Sequence, residues 1–280
     1  MCLGTNCDYE NADRRAFLTG GAAVLAGLAA TSLAAADGEK KPPPTRVLDD
    51  PTIRHGKVTF KSGDKEIDGY LARPKAEGKY SAVLVVAGNL ISEEYIPNTC
   101  AALAVAGYVG LAPNIFHPVP AKATPAEMNK VLAKRTDDDH LKDIRAGADY
   151  LKTHEFVKAG AVGIIGFCSG GRRALMYAAQ YDNVKAVVAF HPAPTKATEV
   201  AGLKAPVQFH HGKADRVSPF TVSEELEKQL RAQGTHVEVL LYADADHGFL
   251  AYTRHPEYNA DAAKEAWRRT VAFLDGRLKK

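Results

Sequence analysis

A cysteine stands between small residues where an apolar run gives way to a helical pattern, in Gly166-Phe167-Cys168-Ser169-Gly170-Gly171. The spacing Gly-x-nucleophile-x-Gly lets a chain turn sharply out of a strand and lift the central side chain above a sheet. A thiol placed there faces the positive end of the following helix, which favours the thiolate. Such a thiol does nucleophilic chemistry, and it needs a base steered by an acid. Two later segments supply them: Asp215 in Gly212-Lys213-Ala214-Asp215-Arg216-Val217-Ser218-Pro219, and His247 in Asp244-Ala245-Asp246-His247-Gly248-Phe249. Each follows a predicted strand. Order and placement agree at all three positions.

Other residues compete for these roles. Asp244 and Asp246 flank the histidine in sequence, although neighbouring loop carboxylates are commonly solvated. His210 and His211 look like a metal pair, but adjacent strand residues point to opposite faces and do not easily share an ion. Cys100 lies among Ala and Leu on a predicted helix and reads as a core residue. A Cys100–Cys168 disulfide depends on a distance that spacing alone does not give. His117 and His191, each followed by Pro, are candidates for the pocket wall or for loop packing. Trp267 and Tyr258 are expected to pin the last helix to the sheet.

The elements that must position these groups alternate. Lys57 to Lys61 and Ile67 to Arg73 read as an opening β pair, and Ser81 to Ala87 (SAVLVVA) as a strand covered on both faces. A helix over Ile96 to Ala106 and a strand over Tyr108 to Ala112 follow. Asp137 to His154 carries apolar residues at Leu141, Ile144, Ala148 and Leu151, with acids in its first turn that suit the helix dipole. Strands are expected at Ala161 to Phe167, Lys185 to Phe190, Pro206 to His211 and His236 to Tyr242. Helices are expected from about Gly170, over Pro219 to Gln233 and over Pro256 to Leu274. This is the α/β pattern of a doubly wound, mostly parallel sheet, in which ligands bind beyond the carboxyl ends of strands.

The chain from about residue 56 to 275 resembles the dienelactone hydrolase family of the α/β-hydrolase fold. The likeness rests on Gly166 to Gly171, Gly212 to Pro219, Tyr242 through His247-Gly248-Phe249, Tyr258 through Ala266-Trp267-Arg268-Arg269-Thr270, and Gly107-Tyr108 through Ala112-Pro113. The resemblance implies Cys168 as nucleophile, His247 as base and Asp215 as the acid that orients it. It implies an oxyanion hole from the backbone N–H groups of Asn89 and Ser169. It also implies hydrolysis of a small carboxylic ester or lactone through an acyl-cysteine, with no cofactor and no metal. The family commonly carries a Glu after the first central strand, and Gly88 aligns there; Glu93 and Glu94 follow nearby. A catalytically weakened binding protein on the same fold is the alternative that this departure motivates. For a substrate carboxylate, Arg172, Arg173 and Arg254 are the nearest cations, with His117 and His191 as further pocket candidates.

Composition bounds the rest. The 280 residues are 46% hydrophobic and 25% charged, with a formal charge of +3 from 36 basic and 33 acidic residues. That balance is too mild for a nucleic-acid partner. Four cysteines do not make a disulfide framework at this length. Asp13-Arg14-Arg15-Ala16 precedes twenty uncharged residues, Phe17 to Ala36, ending Ala34-Ala35-Ala36, the form of a twin-arginine export signal cleaved after Ala36. Left uncleaved, it would serve as an anchor. The domain plan is therefore a signal over 1–36, a charged, proline-rich linker over 37–52 and one domain over 53–280. An exported or periplasmic protein, with no membrane span after cleavage, is the expectation; the oligomeric state is not readable.

Overall fold

Runs of Val, Ile and Ala flanked by Gly and Pro become the strands of one sheet, and the 3.6-residue patterns between them become its covering helices. A computed structural model describes residues 46–88, 94–120, 123–253 and 256–279. The expected export signal and most of the expected linker lie outside the described residues. The described strands are β1 (Ile53–Ser62), β2 (Lys65–Pro74), β3 (Tyr80–Val86), β4 (Val109–Pro113), β5 (Val157–Phe167), β6 (Val184–Phe190), β7 (Val207–Gly212) and β8 (Val237–Tyr242). The helices are α1 (Tyr95–Val105), α2 (Pro125–Leu132), α3 (Asp137–Lys152), α4 (Ser169–Gln180), α5 (Thr221–Ala232) and α6 (Ala260–Leu278).

The sheet order is β1-β2-β4-β3-β5-β6-β7-β8. The β1–β2 and β2–β4 pairings are antiparallel, and every pairing from β4 onward is parallel. Burial on both faces explains the near-continuous apolar run of β3, six of whose seven residues are buried; β7 is buried throughout although it carries Gln208, His210 and His211. Helices α1 and α6 share one face, where the Tyr108 hydroxyl donates to Asp275 and the Ser81 hydroxyl to the Leu278 carbonyl. Helices α3 and α4 pack together on the other face.

Strand order reverses at β3, which leads through α1 to β4 on one side and pairs with β5 on the other. The carboxyl ends of β3 and β5 therefore border the topological switch point, where open α/β sheets bind ligands. Gly88 and Cys168 lie just past those two ends.

Several details depart from the sequence reading, among them the start of β5 at Val157, four residues before the expected Ala161. Helix α6 begins after Asn259, whose side chain accepts from the Ala262 N–H at 3.0 Å, and not at Pro256. It then runs on to Leu278, because Phe273, Leu274 and Leu278 continue its buried face. Residues 46–52, expected within the linker, are held: Val47 donates its N–H to Asn98 Oδ1 at 2.7 Å, and Val47 and Leu48 pack on the core. Helix α2, eight residues long, was not anticipated.

Helix α3 starts with a reciprocal cap in which the Thr136 hydroxyl accepts from the Asp139 N–H and the Asp139 carboxylate from the Thr136 N–H. Thr136→Ala is expected to cost about 1 kcal/mol in chemical denaturation, and Thr136→Ser much less. Equal midpoints for all three proteins would show that this cap contributes nothing to stability.

Candidate active site

The turn between β5 and α4 forces Cys168 into a backbone conformation that L-residues rarely adopt, with φ at +51°. Glycine makes the turn sterically possible. A Cβ at Gly166 would stand 2.3 Å from the Gly170 carbonyl oxygen, and one at Gly170 would stand 2.2 Å from the Val86 oxygen. Hydrogen bonds then hold the strained residue. Its N–H donates to the Phe190 carbonyl at 3.0 Å, while its own carbonyl accepts from Gly171, Arg172 and Ala193. The sulfur ends up at the N-terminus of α4, where the Ser169 backbone N–H donates to it.

The acid and the imidazole arrive from the ends of β7 and β8. Asp215 Oδ1 accepts from the Val217 and Ser218 N–H groups at 2.9 and 2.8 Å, which fixes the carboxylate in its own turn. Its second oxygen accepts from His247 Nδ1 at 2.9 Å. The two loops touch backbone to backbone at Gly212, where a Cβ would meet the Ala245 oxygen at 2.1 Å. Asp246 instead accepts from the His247 backbone N–H, so the flanking acid holds the loop and Asp215 holds the ring. His247 in turn hydrogen-bonds the Cys168 sulfur.

The charge state follows from these contacts. Burial pushes the Cys168 thiol up, but the hydrogen bond and charge of His247 together with the Ser169 N–H outweigh it, leaving the thiol below its ordinary 9.0. Burial alone would lower His247; hydrogen bonds to Asp215 and to the sulfur raise it to about 9. Asp215, although buried, is held below 3.8 chiefly by the His247 hydrogen bond. Both shifts run in the same sense, toward a thiolate beside an imidazolium and away from the neutral thiol and imidazole.

A cavity of about 60 Å³ opens on the sulfur, lined among the described residues by Gly88, Tyr95, Phe167, Cys168, His191, His247, Gly248, Leu250 and Ala251. Of the pocket candidates, His191 is there, 4% exposed, its ring centroid 4.1 Å from that of His247. His117 is not: Arg135 and Asp143 hold its Nε2 at 2.9 and 3.3 Å. Arg172 is also committed elsewhere, donating to Asp137 at 2.8 Å and Glu199 at 2.7 Å, so it does not reach into the cavity. Arg173 donates to the Ser169 hydroxyl at 2.9 Å, and that hydroxyl donates to the Gly88 carbonyl at 2.9 Å. Asn89 and Arg254 lie outside the described residues, as does Glu93. Glu94 accepts from Arg46 and Tyr252.

Sequence reasoning missed the wall residues Tyr95, Leu250 and Ala251. Their types are ordinary core types, so no signal singled them out. His210 and His211 do face opposite ways, toward Thr270 of α6 and toward Phe220 at the start of α5. Both Cys100 and Cys168 are free thiols. One sulfur and two ring nitrogens, from Cys168, His191 and His247, lie within 4.8 Å of one another and are the donor set able to hold a metal ion among the described residues.

Gly88 has its own steric cause. A Cβ there would stand 2.7 Å from the Phe167 oxygen and 3.0 Å from the Cys168 Cβ. No side chain fits this position without moving the elbow, so the glycine is required by the close approach of β3 to β5.

Comparison with known proteins agrees with this architecture. The profile of the dienelactone hydrolase family matches residues 67–278. A Methylorubrum extorquens protein assigned as a carboxymethylenebutenolidase is 31% identical over 228 residues, 76% of this chain and 78% of the relative. A Bradyrhizobium protein assigned as a 2-oxo-3-(5-oxofuran-2-ylidene)propanoate lactonase is 31% identical over 218 residues, covering 73% and 87%. The crystal structure of a Klebsiella pneumoniae protein assigned as a dienelactone hydrolase superposes with a TM-score of 0.71 at 30% identity, over 79% of this chain and 98% of that one. The chain belongs to the dienelactone hydrolase family, with the α/β-hydrolase fold, and is a hydrolase.

Alkylation by iodoacetamide reads the charge state directly, because only the thiolate reacts. In the native protein the rate should rise through an inflection below the ordinary thiol value. In His247→Ala it should rise at higher pH, since burial then acts with less opposition. Superimposable profiles would mean that the imidazole does not ionise the sulfur. Gly88→Ala should leave the fold intact by circular dichroism and lower hydrolysis at least tenfold; full activity would show that the elbow tolerates displacement.

Proposed function

We propose that the protein hydrolyses a small carboxylic ester or lactone through an acyl-cysteine formed on Cys168. What carries this reading is the continuous hydrogen-bonded chain from Asp215 through His247 to a sulfur at a strained helix N-terminus, opening on a small cavity. The family membership and the names of the lactone-cleaving relatives support the substrate class.

In the first half-reaction the Cys168 thiolate bonds to the substrate carbonyl carbon. The oxyanion takes the Ser169 N–H that the resting sulfur had used, with the Asn89 N–H as the expected second donor. Each such donor stabilises the tetrahedral species by roughly 3–4 kcal/mol. The C–O bond then breaks, and the leaving oxygen takes the proton of His247 Nε2. With a lactone, the released alcohol stays tethered to the acyl group.

The second half needs a base, and the first half creates it. Acylation removes the negative charge from sulfur, and with it one of the two interactions that hold the proton on His247. The imidazole, now neutral and still oriented by Asp215, takes a proton from water as its oxygen attacks the thioester. The C–S bond breaks, the acid leaves, and the thiolate–imidazolium pair is restored. Attack on the ester needs the pair intact, so kcat/KM should be flat above the lowered thiol value and fall as pH rises through about 9, where His247 loses its proton.

The decisive experiment uses p-nitrophenyl acetate. Cys168→Ala should lose roughly three or more orders of magnitude in kcat/KM. Rapid quenching of the native protein should show a mass gain of one acetyl group on the peptide carrying Cys168. Undiminished turnover by the alanine variant, or an acetyl group found elsewhere, would overturn the mechanism.

A further inference from the structure

The mechanism leaves His191 unused, although the fold places it with unusual care. It is the second of two non-glycine residues with positive φ among the described residues, at +35°, and its N–H is held by the His210 carbonyl at 2.8 Å. Its ring is buried against His247, and its Nδ1 has no hydrogen-bond partner. A packing role does not call for an imidazole whose buried nitrogen goes unpaired; an aromatic ring would fill the space without that loss.

We propose that Cys168, His191 and His247 bind a single zinc ion, which occupies the substrate site and reversibly closes it. The three donor atoms come from the ends of three different strands and already lie within 4.8 Å of one another. Tetrahedral zinc with thiolate and imidazole ligands sets donor separations of about 3.3–3.6 Å, so side-chain shifts of about an ångström complete the set. One sulfur and two imidazole nitrogens suit this borderline-soft cation better than the oxygen-seeking magnesium or calcium. All three residues line the cavity, which leaves room beside them for a fourth ligand such as water.

The surroundings also suit an ion. His247 Nδ1 donates to Asp215, the carboxylate–histidine pairing that fixes a ligating ring and raises its basicity. Zinc, one thiolate and two neutral imidazoles carry a net single positive charge, which the adjacent Asp215 carboxylate balances. The binding step is also balanced. Zinc bonds to sulfur and to two ring nitrogens, and the proton that Cys168 and His247 share leaves for solvent; nothing is oxidised or reduced. That the bound state is an inhibited one rests on the assignment of Cys168 as nucleophile; the binding site itself does not.

Cobalt(II) substitution tests the site without relying on turnover. Metal-free, reduced protein titrated with cobalt should develop one equivalent of thiolate-to-cobalt charge-transfer absorption with tetrahedral ligand-field bands, all abolished by added zinc. Cys168→Ser should remove the charge-transfer band. His191→Asn, chosen because asparagine tolerates positive φ, should weaken cobalt and zinc binding at least tenfold, and His191→Phe provides a second variant that preserves ring packing. In parallel, micromolar zinc should suppress p-nitrophenyl acetate turnover by the native protein, with recovery on chelation. Absence of the charge-transfer band, or affinity unchanged in both folded His191 variants, overturns the site. An active enzyme without the band sinks the zinc proposal alone, whereas a band on a protein whose Cys168 is never acylated sinks the hydrolytic mechanism alone.

Discussion

The geometry of the candidate site depends on one backbone conformation, the positive φ of Cys168. Holding a non-glycine residue there costs on the order of 1–3 kcal/mol, and the surroundings must over-determine it. They do so by close approach. Gly166, Gly170 and Gly88 let β5, the start of α4 and the end of β3 come within distances that any Cβ would forbid. The strained turn is also tied to a second one. The Cys168 N–H reaches the Phe190 carbonyl just before His191, and the Ala193 N–H returns to the Cys168 carbonyl just after it. The two positive-φ residues are thus bracketed by a reciprocal pair of bonds, so neither turn can relax without the other.

Around this centre the charged side chains are spent on structure. Asp137, at the start of α3, reaches Arg172 and lies 3.6 Å from Arg173 Nε, while Glu199 closes the other side of Arg172. Asp143, deeper in the same helix, is shared by Arg135, His117 and the Ser62 hydroxyl. Removing one partner from such a buried group strands the others, which makes these clusters constraints on how α3 seats against α4 and β1. Electrostatically, the described wall of the cavity is left to aromatic, aliphatic and imidazole groups around the Cys168 sulfur.

What was legible in the sequence follows this division. Strands β3, β6 and the latter half of β5 announced themselves because burial on both faces favours runs of Val, Ile, Ala and Phe broken at most by glycine, and the Gly-x-Cys-x-Gly spacing marked where β5 must turn. The positions of Asp215 and His247 were legible because strand ends are where this architecture gathers side chains. Helix α2 was overlooked although its signals are in the sequence: Thr124-Pro125-Ala126-Glu127 is a capping-box start with Pro at the first helical position, and Met128, Val131 and Leu132 follow at helical spacing. Arg172 and His117 looked available for ligand because sequence shows a charge but not its partner. Asp137 and Glu199 lie 35 and 27 residues from Arg172, a pairing that only the tertiary fold creates.

The same reasoning bears on how the sulfur is ionised. A carboxylate carried at position 88, as the family resemblance would have it, requires a side chain where this chain has 2.7 Å of clearance to a carbonyl oxygen. The elbow and β3 are therefore packed more closely than a side chain there would permit, and control of the thiol falls to the groups that do reach it. Those are the His247 ring and the Ser169 N–H, opposed by burial. Because the imidazole owes its raised proton affinity to Asp215 as well as to sulfur, the thiolate is stabilised at one remove by a carboxylate, with its charge delivered through a ring instead of placed beside the sulfur. A carboxylate beside the sulfur would repel the thiolate; Asp215, farther off, still opposes it by charge but holds the intervening imidazole protonated. With glycine at position 88 no carboxylate stands beside the sulfur to oppose its charge, and the thiolate that the lowered pKa favours is also the form that binds a borderline-soft cation.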